Sequence, residues 1–339
     1  MLTFRQASAP RRTLLAAIAY CVAGALGLAA PVLAQDYPNK VIKLVVPFPP
    51  GGGTDLIGRL MATRLSAALG QQVVVENRAG AAATIGAVAV AKAPPDGYTL
   101  LMGAITVHAT YLALQSQVPG QSPAFDIDNS FSPVAIVATI PSVIAVNASV
   151  KANFLAELIG LAKAKPGALT LASSGNGALT HLAGEVFQRM AGVRVLHVPY
   201  KGTAPAMVDL IGGQVDMIIT DVAVTAPHIN GGKLRGLAVL ANKRMSTIGA
   251  VPTAAEAGLP GFDISATLGI LAPAGTPAPI IAKLNEALKG IMGTVEIRDH
   301  LLGQGVFATY TTPEEAGQTI RRELAFWTKV VKDANIKPD

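Results

Sequence analysis

The sequence predicts an α/β fold with parallel sheets arranged as two lobes. Three observations carry that expectation. Apolar runs alternate with segments of helical period along almost the whole chain, the pattern of strands joined by helical crossovers. One unit, an apolar strand followed by a Gly/Ser-rich loop and a helix, occurs at 41–69 and again at 169–191. The chain has 339 residues, 51% hydrophobic and 14% charged. That is apolar enough to fold and long enough for two domains.

The elements follow in order. Val41 to Val46 reads as a buried strand, and Pro47 to Gly53 as a loop. Ile57, Met61, Leu65 and Leu69 recur every four residues, so 55–69 is predicted helical and Gly70 ends it. Val73 to Val75 is a strand, 82–93 an Ala-rich helix and Tyr98 to Met102 a strand. Residues 115–130 read as a loop. Val134 to Val146 reads as two short strands broken by Pro141. The alternation then restarts, with helices at 154–165, 179–191 and 203–211 and strands at 169–172, 193–198, 215–220 and 234–240. A strand at 264–271 precedes two amphipathic helices, 279–292 and 313–335. Thr312-Pro313-Glu314-Glu315 opens the last with an N-cap, a proline at the first helical position and acids on the positive end of the dipole. Phe326 and Trp327 in that helix read as core.

The N-terminus carries Arg5, Arg11 and Arg12 and no acid, then the apolar run Leu14 to Ala34. This is the form of an export signal cleaved after Ala34, with a transmembrane anchor as the alternative. Arg11-Arg12 also suits a twin-arginine signal, so the export route stays open. The single cysteine, Cys21, lies inside this segment. The expected mature chain, 35–339, therefore has no thiol for a disulfide, a zinc site or a nucleophile. Losing three arginines leaves 24 basic against 21 acidic residues, a net +3. Without a basic run, nucleic acid is not an expected partner.

Two loops are candidate ligand sites. Pro47-Phe48-Pro49-Pro50-Gly51-Gly52-Gly53-Thr54-Asp55 lacks the lysine of a Walker loop and the spacing of a dinucleotide fingerprint. Its glycines before a helix let backbone N–H groups approach an anion at the positive end of a dipole, with Thr54 as the expected N-cap. Asp55 opposes an anion held very close. Ser173-Ser174-Gly175-Asn176-Gly177 is the second loop. Ser174 with His181 could form a nucleophile and base, but the glycine of a nucleophile elbow is missing before Ser174. Tyr200-Lys201-Gly202 follows a strand and offers a ring and a cation. Asp221 ends a strand, where it could accept a hydroxyl or ammonium. No two of His108, His181, His197, His228 and His300 are spaced i, i+4, so neither a metal nor another cofactor is expected.

Tyr37-Pro38 to Val46, the loop Pro47 to Asp55, Val73 to Gly86 with Glu76-Asn77-Arg78-Ala79-Gly80, Pro95-Asp96-Gly97-Tyr98-Thr99-Leu100, Val198 to Thr203, Gly212 to Asp216, Val251 to Gly261, Ala272 to Pro277 and Trp327 to Ile336 together resemble the Bug-type receptors of tripartite tricarboxylate transporters. The resemblance covers nearly the whole mature chain. It implies a Venus-flytrap, periplasmic-binding-protein fold of type II-like form, with two mixed, mostly parallel sheets joined by hinge strands near 134–146 and 264–271. Lobe 1 would comprise 35–137 and 263–339, and lobe 2 would comprise 138–262. It implies a non-enzymatic, monomeric periplasmic receptor that passes a small carboxylate to a membrane permease. The contacts carried over are Pro49, Gly51, Gly52, Gly53, Thr54, the Gly103-Ala104 turn, Ser174, Gly175, Tyr200, Lys201, Gly202 and Asp221. A sensor that signals to a regulatory partner, and an exported hydrolase, are the alternatives. The chain departs from the family at Thr110-Tyr111, Phe125 to Asp128 and Thr267-Leu268, which leaves the ligand's identity open.

Overall fold

Among the described residues, the strands belong to two sheets that share a single long strand. The computed structural model describes residues 37–118, 120, 122–334 and 336. The expected leader and its cleavage point lie outside the described residues, as does Asn335. From Lys40 onward the described residues form one unit.

The elements are β1 (Ile42–Val46), α1 (Gly53–Leu69), β2 (Val73–Asn77), α2 (Thr84–Ala91), β3 (Thr99–Ala104), α3 (Ile105–Gln115), β4 (Phe131–Asn147), α4 (Leu155–Ala164) and β5 (Thr170–Ser173). Then come α5 (Leu179–Ala191), β6 (Leu196–Pro199), α6 (Thr203–Ile211), β7 (Met217–Asp221), α7 (Val222–Asn230) and β8 (Leu234–Val239). The chain finishes with β9 (Ser265–Pro273), α8 (Ala278–Met292), α9 (Val295–Gly303), β10 (Phe307–Ala308) and α10 (Pro313–Ala334). Helices α3, α7 and α9 had no counterpart in the sequence reading. α3 and α7 each follow a strand directly, so no turn residues announce them, whereas Gly293 and the N-cap Thr294 before α9 were overlooked.

In the first sheet β1 pairs in parallel with β2 and β3, and β9 runs antiparallel between β3 and β4. In the second β5 pairs in parallel with β6 and β7, and β4 runs antiparallel between β7 and β8. The break expected at Pro141 does not occur. β4 is one strand of 17 residues, paired with β9 through Pro141 and with β7 from Ser142. Pro141 falls between Thr139, the last residue paired with β10, and Ser142, the first paired with β7. The missing N–H thus lies where the strand changes partners, and no ladder bond is lost. The return crossing is equally sharp: Ser142 N donates to Ile264 O at 3.0 Å, and β9 starts at Ser265.

Helix boundaries follow local chemistry. Gly70 closes α1 in the left-handed conformation, φ 68°, donating to Ser66 O at 3.1 Å. Thr312 and Glu315 form the reciprocal capping box before α10, with Thr312 N to Glu315 Oε2 at 2.8 Å and Glu315 N to Thr312 Oγ1 at 3.3 Å. α2 starts later than its composition suggests, because Ala81, Ala82 and Ala83 all have positive φ. Helix α10 belongs to both cores. Ala316 and Ile320 pack with the apolar face of the first sheet, and Trp327, Val330 and Val331 with α5 and the second sheet. Phe326 is not core: it is 43% exposed.

Candidate functional site

The strands β1, β3, β5 and β7 each end at a loop or helix that faces the crossing point of β4. A Cβ on Gly53, the first residue of α1, would lie 3.8 Å from Ile140 Cδ1. Two residues on, Ser142 pairs with Asp221. A Cβ on Gly177 would meet Leu114 of α3, and one on Gly175 would lie 3.3 Å from the Tyr200 carbonyl. A cavity of about 550 Å³ between α1 and α7 is lined by Gly53, Leu56, Ile140, Ala223 and Ala226 among others.

The first loop is held from below by Asp55. Its carboxylate is 1% exposed. Oδ2 accepts from Gly51 N and Arg59 Nε, both at 2.9 Å, and Oδ1 from Asn77 Nδ2 at 2.8 Å. Asn77 also donates to Phe48 O at 3.0 Å. The Arg59 hydrogen bond, with help from Gly51 and Asn77, outweighs burial and holds the carboxyl down at about 2. Asp55 therefore turns away from the loop's open face and does not oppose an anion there. Its i, i+4 spacing to Arg59 was the signal in the sequence that could have placed it. Gly51 spends its N–H on Asp55, which removes it from the expected donors. Thr54 is not the N-cap: Gly52 is, and Thr54 lies inside the first turn. The N–H groups of Gly52, Gly53 and Thr54 have no acceptor among the described residues. They are the open donors of the loop, at the positive end of a 17-residue helix. Pro49 is exposed beside them.

Gly103 and Ala104 do not form a turn. They are buried residues of β3, paired with Gly269 and Leu268, and β3 runs straight into α3. A Cβ on Gly103 would come within 2.9 Å of Leu271 Cδ1, so this glycine serves packing.

The second loop is held by neutral groups and spends most of its donors on itself. Ser174 N donates to Thr180 Oγ1 at 2.8 Å, and the two hydroxyls are 2.9 Å apart. Gly175 N donates to Ser173 Oγ at 3.2 Å, and Gly177 N to His181 Nδ1 at 3.0 Å. The Ser174–His181 pair that the sequence allowed does not form: Ser174 bonds Thr180, and His181 accepts from Gly177. The serine–histidine contact that does exist is Ser173 Oγ to His197 Nε2, 2.6 Å. Ser173 is fully buried, out of reach of a substrate. Burial lowers His197. His181 and His197 stack face to face, centroids 3.9 Å apart and planes 2° from parallel. Both residues were missed as supports of the loop, because nothing in the spacing brings 181 and 197 together.

Tyr200 does not offer its hydroxyl. It donates to Asp209 Oδ2 at 2.7 Å, and burial together with Asp209 pushes the phenol up to about 12. Gly202 spends its N–H on Ser174 O. Lys201 is exposed beside them. Asp221 caps α7 without a side-chain bond to it, and burial pushes its carboxyl up to about 6. Among the described residues no three His, Cys, Asp or Glu side chains gather as a metal site, and no helix is long and apolar enough to cross a membrane.

This geometry can be set beside known proteins. A family model described as "Tripartite tricarboxylate transporter family receptor" matches residues 57–336. The protein BugT of Bordetella pertussis is 38% identical over 325 residues, 96% of this chain and 98% of its own. Among solved structures, an R. palustris protein with adipate is 35% identical, TM-score 0.77, over 90% of this chain and all of its own. The periplasmic binding protein BugD is 34% identical, TM-score 0.75, over 89% of this chain and all of its own. MatC of Rhodopseudomonas palustris with bound malate is 32% identical, TM-score 0.74, over 87% and 100%.

Proposed function

This chain belongs to the receptor family of tripartite tricarboxylate transporters, and on that premise we propose that it captures a small carboxylate in the periplasm and passes it to the transporter's membrane permease. The observation that carries the reading is the open N–H set of Gly52, Gly53 and Thr54 at the start of α1. Unpaired helix N-termini attract carboxylates without a charged side chain. The first loop and the second, with Tyr200, Lys201, Gly202 and Asp221 beside them, form the proposed binding surface between two lobes. Their proposed extents are 35–137 with 263–339, and 138–262. Closure would bend the chain where β4 and the Ile264–Ser265 step cross. Binding without turnover fits a close serine–histidine contact whose Ser173 hydroxyl is buried. Adipate and malate in the relatives support a dicarboxylate. The proposed receptor is a monomer released by cleavage after Ala34.

A thermal-shift screen of the mature protein against mono-, di- and tricarboxylates tests this. A ligand at about 100 times its Kd adds about 2.7 kcal/mol of stability. No shift with any acid, after removal of copurified ligand, sinks the proposal. Gly52→Asp sharpens it. A Cβ at Gly52 has nothing nearer than Pro49 O at 4.0 Å, so folding should be unchanged, while a fixed negative charge among the open N–H groups should weaken adipate binding by about 100-fold. Equal loss of folding and binding would make Gly52 structural.

A further inference from the structure

The second loop poses a chemical problem for an anion. In the ligand-free protein the N–H groups of Ser174, Gly175 and Gly177 are already committed. The acceptor for Gly177 is an imidazole nitrogen, and an imidazole can change what it accepts. For Nδ1 of His181 to accept from Gly177 it must be bare, so the neutral ring carries its proton on Nε2. That nitrogen faces Glu185 Oε1 at 3.8 Å, a contact that becomes an ion pair when the ring is protonated. A second proton has only Nδ1 to occupy. It then points at the Gly177 N–H, two donors face each other, and the bond is lost. Both donors, and the new positive charge, become available to one carboxylate.

The surroundings favour this outcome at His181 rather than at its stacked neighbour. Protonated His197 keeps its bond, because Nε2 can donate to Ser173 Oγ as readily as accept from it. His197 is also half-buried, which disfavours its charge. The other ionisable groups around the pair are Glu185, raised by burial, Arg189 on the same helix, and Asp333 of α10, which pairs with Arg189 at 3.4 Å.

We propose that His181 is the specificity-determining group of the second loop: on protonation it surrenders the Gly177 N–H and, with that N–H, takes the ligand's second carboxylate, so that a dicarboxylate binds with proton uptake. This rests on the carboxylate reading above. It adds that affinity for dianions rises as pH falls, and that a monocarboxylate gains little.

The test is calorimetry of adipate and of butyrate on the full mature protein from pH 8 to pH 5.5, in buffers of different ionisation enthalpy. A companion titration follows the Gly177 amide by NMR without ligand. The wild type should take up a proton with adipate, and its affinity should rise about tenfold over that range, one pKa unit of coupling. Butyrate should show neither effect. His181→Asn keeps an acceptor for Gly177 and cannot be charged, so it should lose the proton uptake and the slope while folding normally. The proposal is overturned if His181→Asn keeps the slope or if the Gly177 amide does not move as His181 titrates. If no acid binds at any pH although Gly177 follows His181, the carboxylate reading fails, and the ligand role of His181 fails with it. If adipate binds without proton uptake, this inference fails alone.

Discussion

The two helix-opening loops are braced by opposite chemistry. The 49–54 loop is braced by a buried carboxylate that stays charged down to about pH 2 and leaves three N–H groups open. The 173–178 loop is braced by hydroxyls and two imidazoles and satisfies its own donors. A charged brace fixes a preformed cradle, because removing the ligand leaves the loop's shape supported. A neutral brace gives a loop that must exchange internal bonds for ligand bonds, and whose support changes with pH. On the proposed function, one face of the site is built to be constant and the other to respond.

The largest effect should come from removing the constant brace. Asp55→Ala strands Arg59, the Asn77 amide and the Gly51 N–H at once. Losing one partner of a buried ion pair costs about 3–5 kcal/mol. Arg59 is half exposed, which places the expected loss at about 3 kcal/mol in urea denaturation. Asp55→Asn, which keeps the shape, should lose less. The lowered carboxyl also fixes the pH window: its stabilisation is complete above the unfolded value near 3.8 and disappears as pH falls toward 2. A loss of under 1 kcal/mol for Asp55→Ala would end the idea that this loop is braced.

The next effect comes from α3, on which the second loop leans through Leu114. His108 in α3 is fully buried against Phe125, with no hydrogen-bond partner for either ring nitrogen. Burial alone lowers it from 6.5 to about 4. Its folded state prefers the neutral ring, so this contribution is complete above pH 6.5 and is lost as pH falls to 4. At 1.36 kcal/mol per unit, about 3 kcal/mol disappears over that window. His108→Leu should flatten the stability curve between pH 6.5 and 4 and leave Asp55's window below pH 4 intact. An unchanged curve would mean that His108 finds a partner in solution.

How much of this was legible follows from which contacts are local. The strand–loop–helix units at 41–69 and 169–191 stood out because apolar period and glycine position are properties of neighbouring residues. The Thr312–Glu315 capping box stood out for the same reason. Pro141 misled, because a proline breaks a strand only where its N–H is needed, and partner exchange at 141–142 is invisible locally. The first loop was found but its donors were miscounted: Gly51 and Thr54 changed roles once Asp55 turned inward. The histidine stack could not be read at all, since it joins a helix to a strand 16 residues away with no spacing rule to mark it.

A third test separates fit from conformation in the responsive loop. Gly177 has φ 71°, and a Cβ there would sit 2.6 Å from Leu114 Cδ1. Gly177→Ala should cost about 2 kcal/mol, roughly half from the left-handed backbone and half from the clash. Gly177→Ala combined with Leu114→Ala should recover the clash part, measured as a non-additive double-mutant cycle. Strict additivity would show that Leu114 simply moves aside and that the loop does not lean on α3.

The smallest effect should be a gain. Ala81, Ala82 and Ala83 hold φ of 45°, 50° and 70° in succession before α2. Each left-handed alanine costs about 1–2 kcal/mol relative to the right-handed form. Glycine removes that strain and gives back about 0.5–1 kcal/mol in unfolded-chain entropy. Ala82 is exposed and Ala83 is buried. Ala82→Gly should therefore stabilise by about 0.5 kcal/mol, and Ala83→Gly should gain less because it also loses a buried methyl. If both destabilise by 1 kcal/mol or more, the three alanines are not left-handed in solution. The turn into α2 would then join the 173–178 loop as a segment that changes conformation, and the contrast between a constant and a responsive face would have to be redrawn.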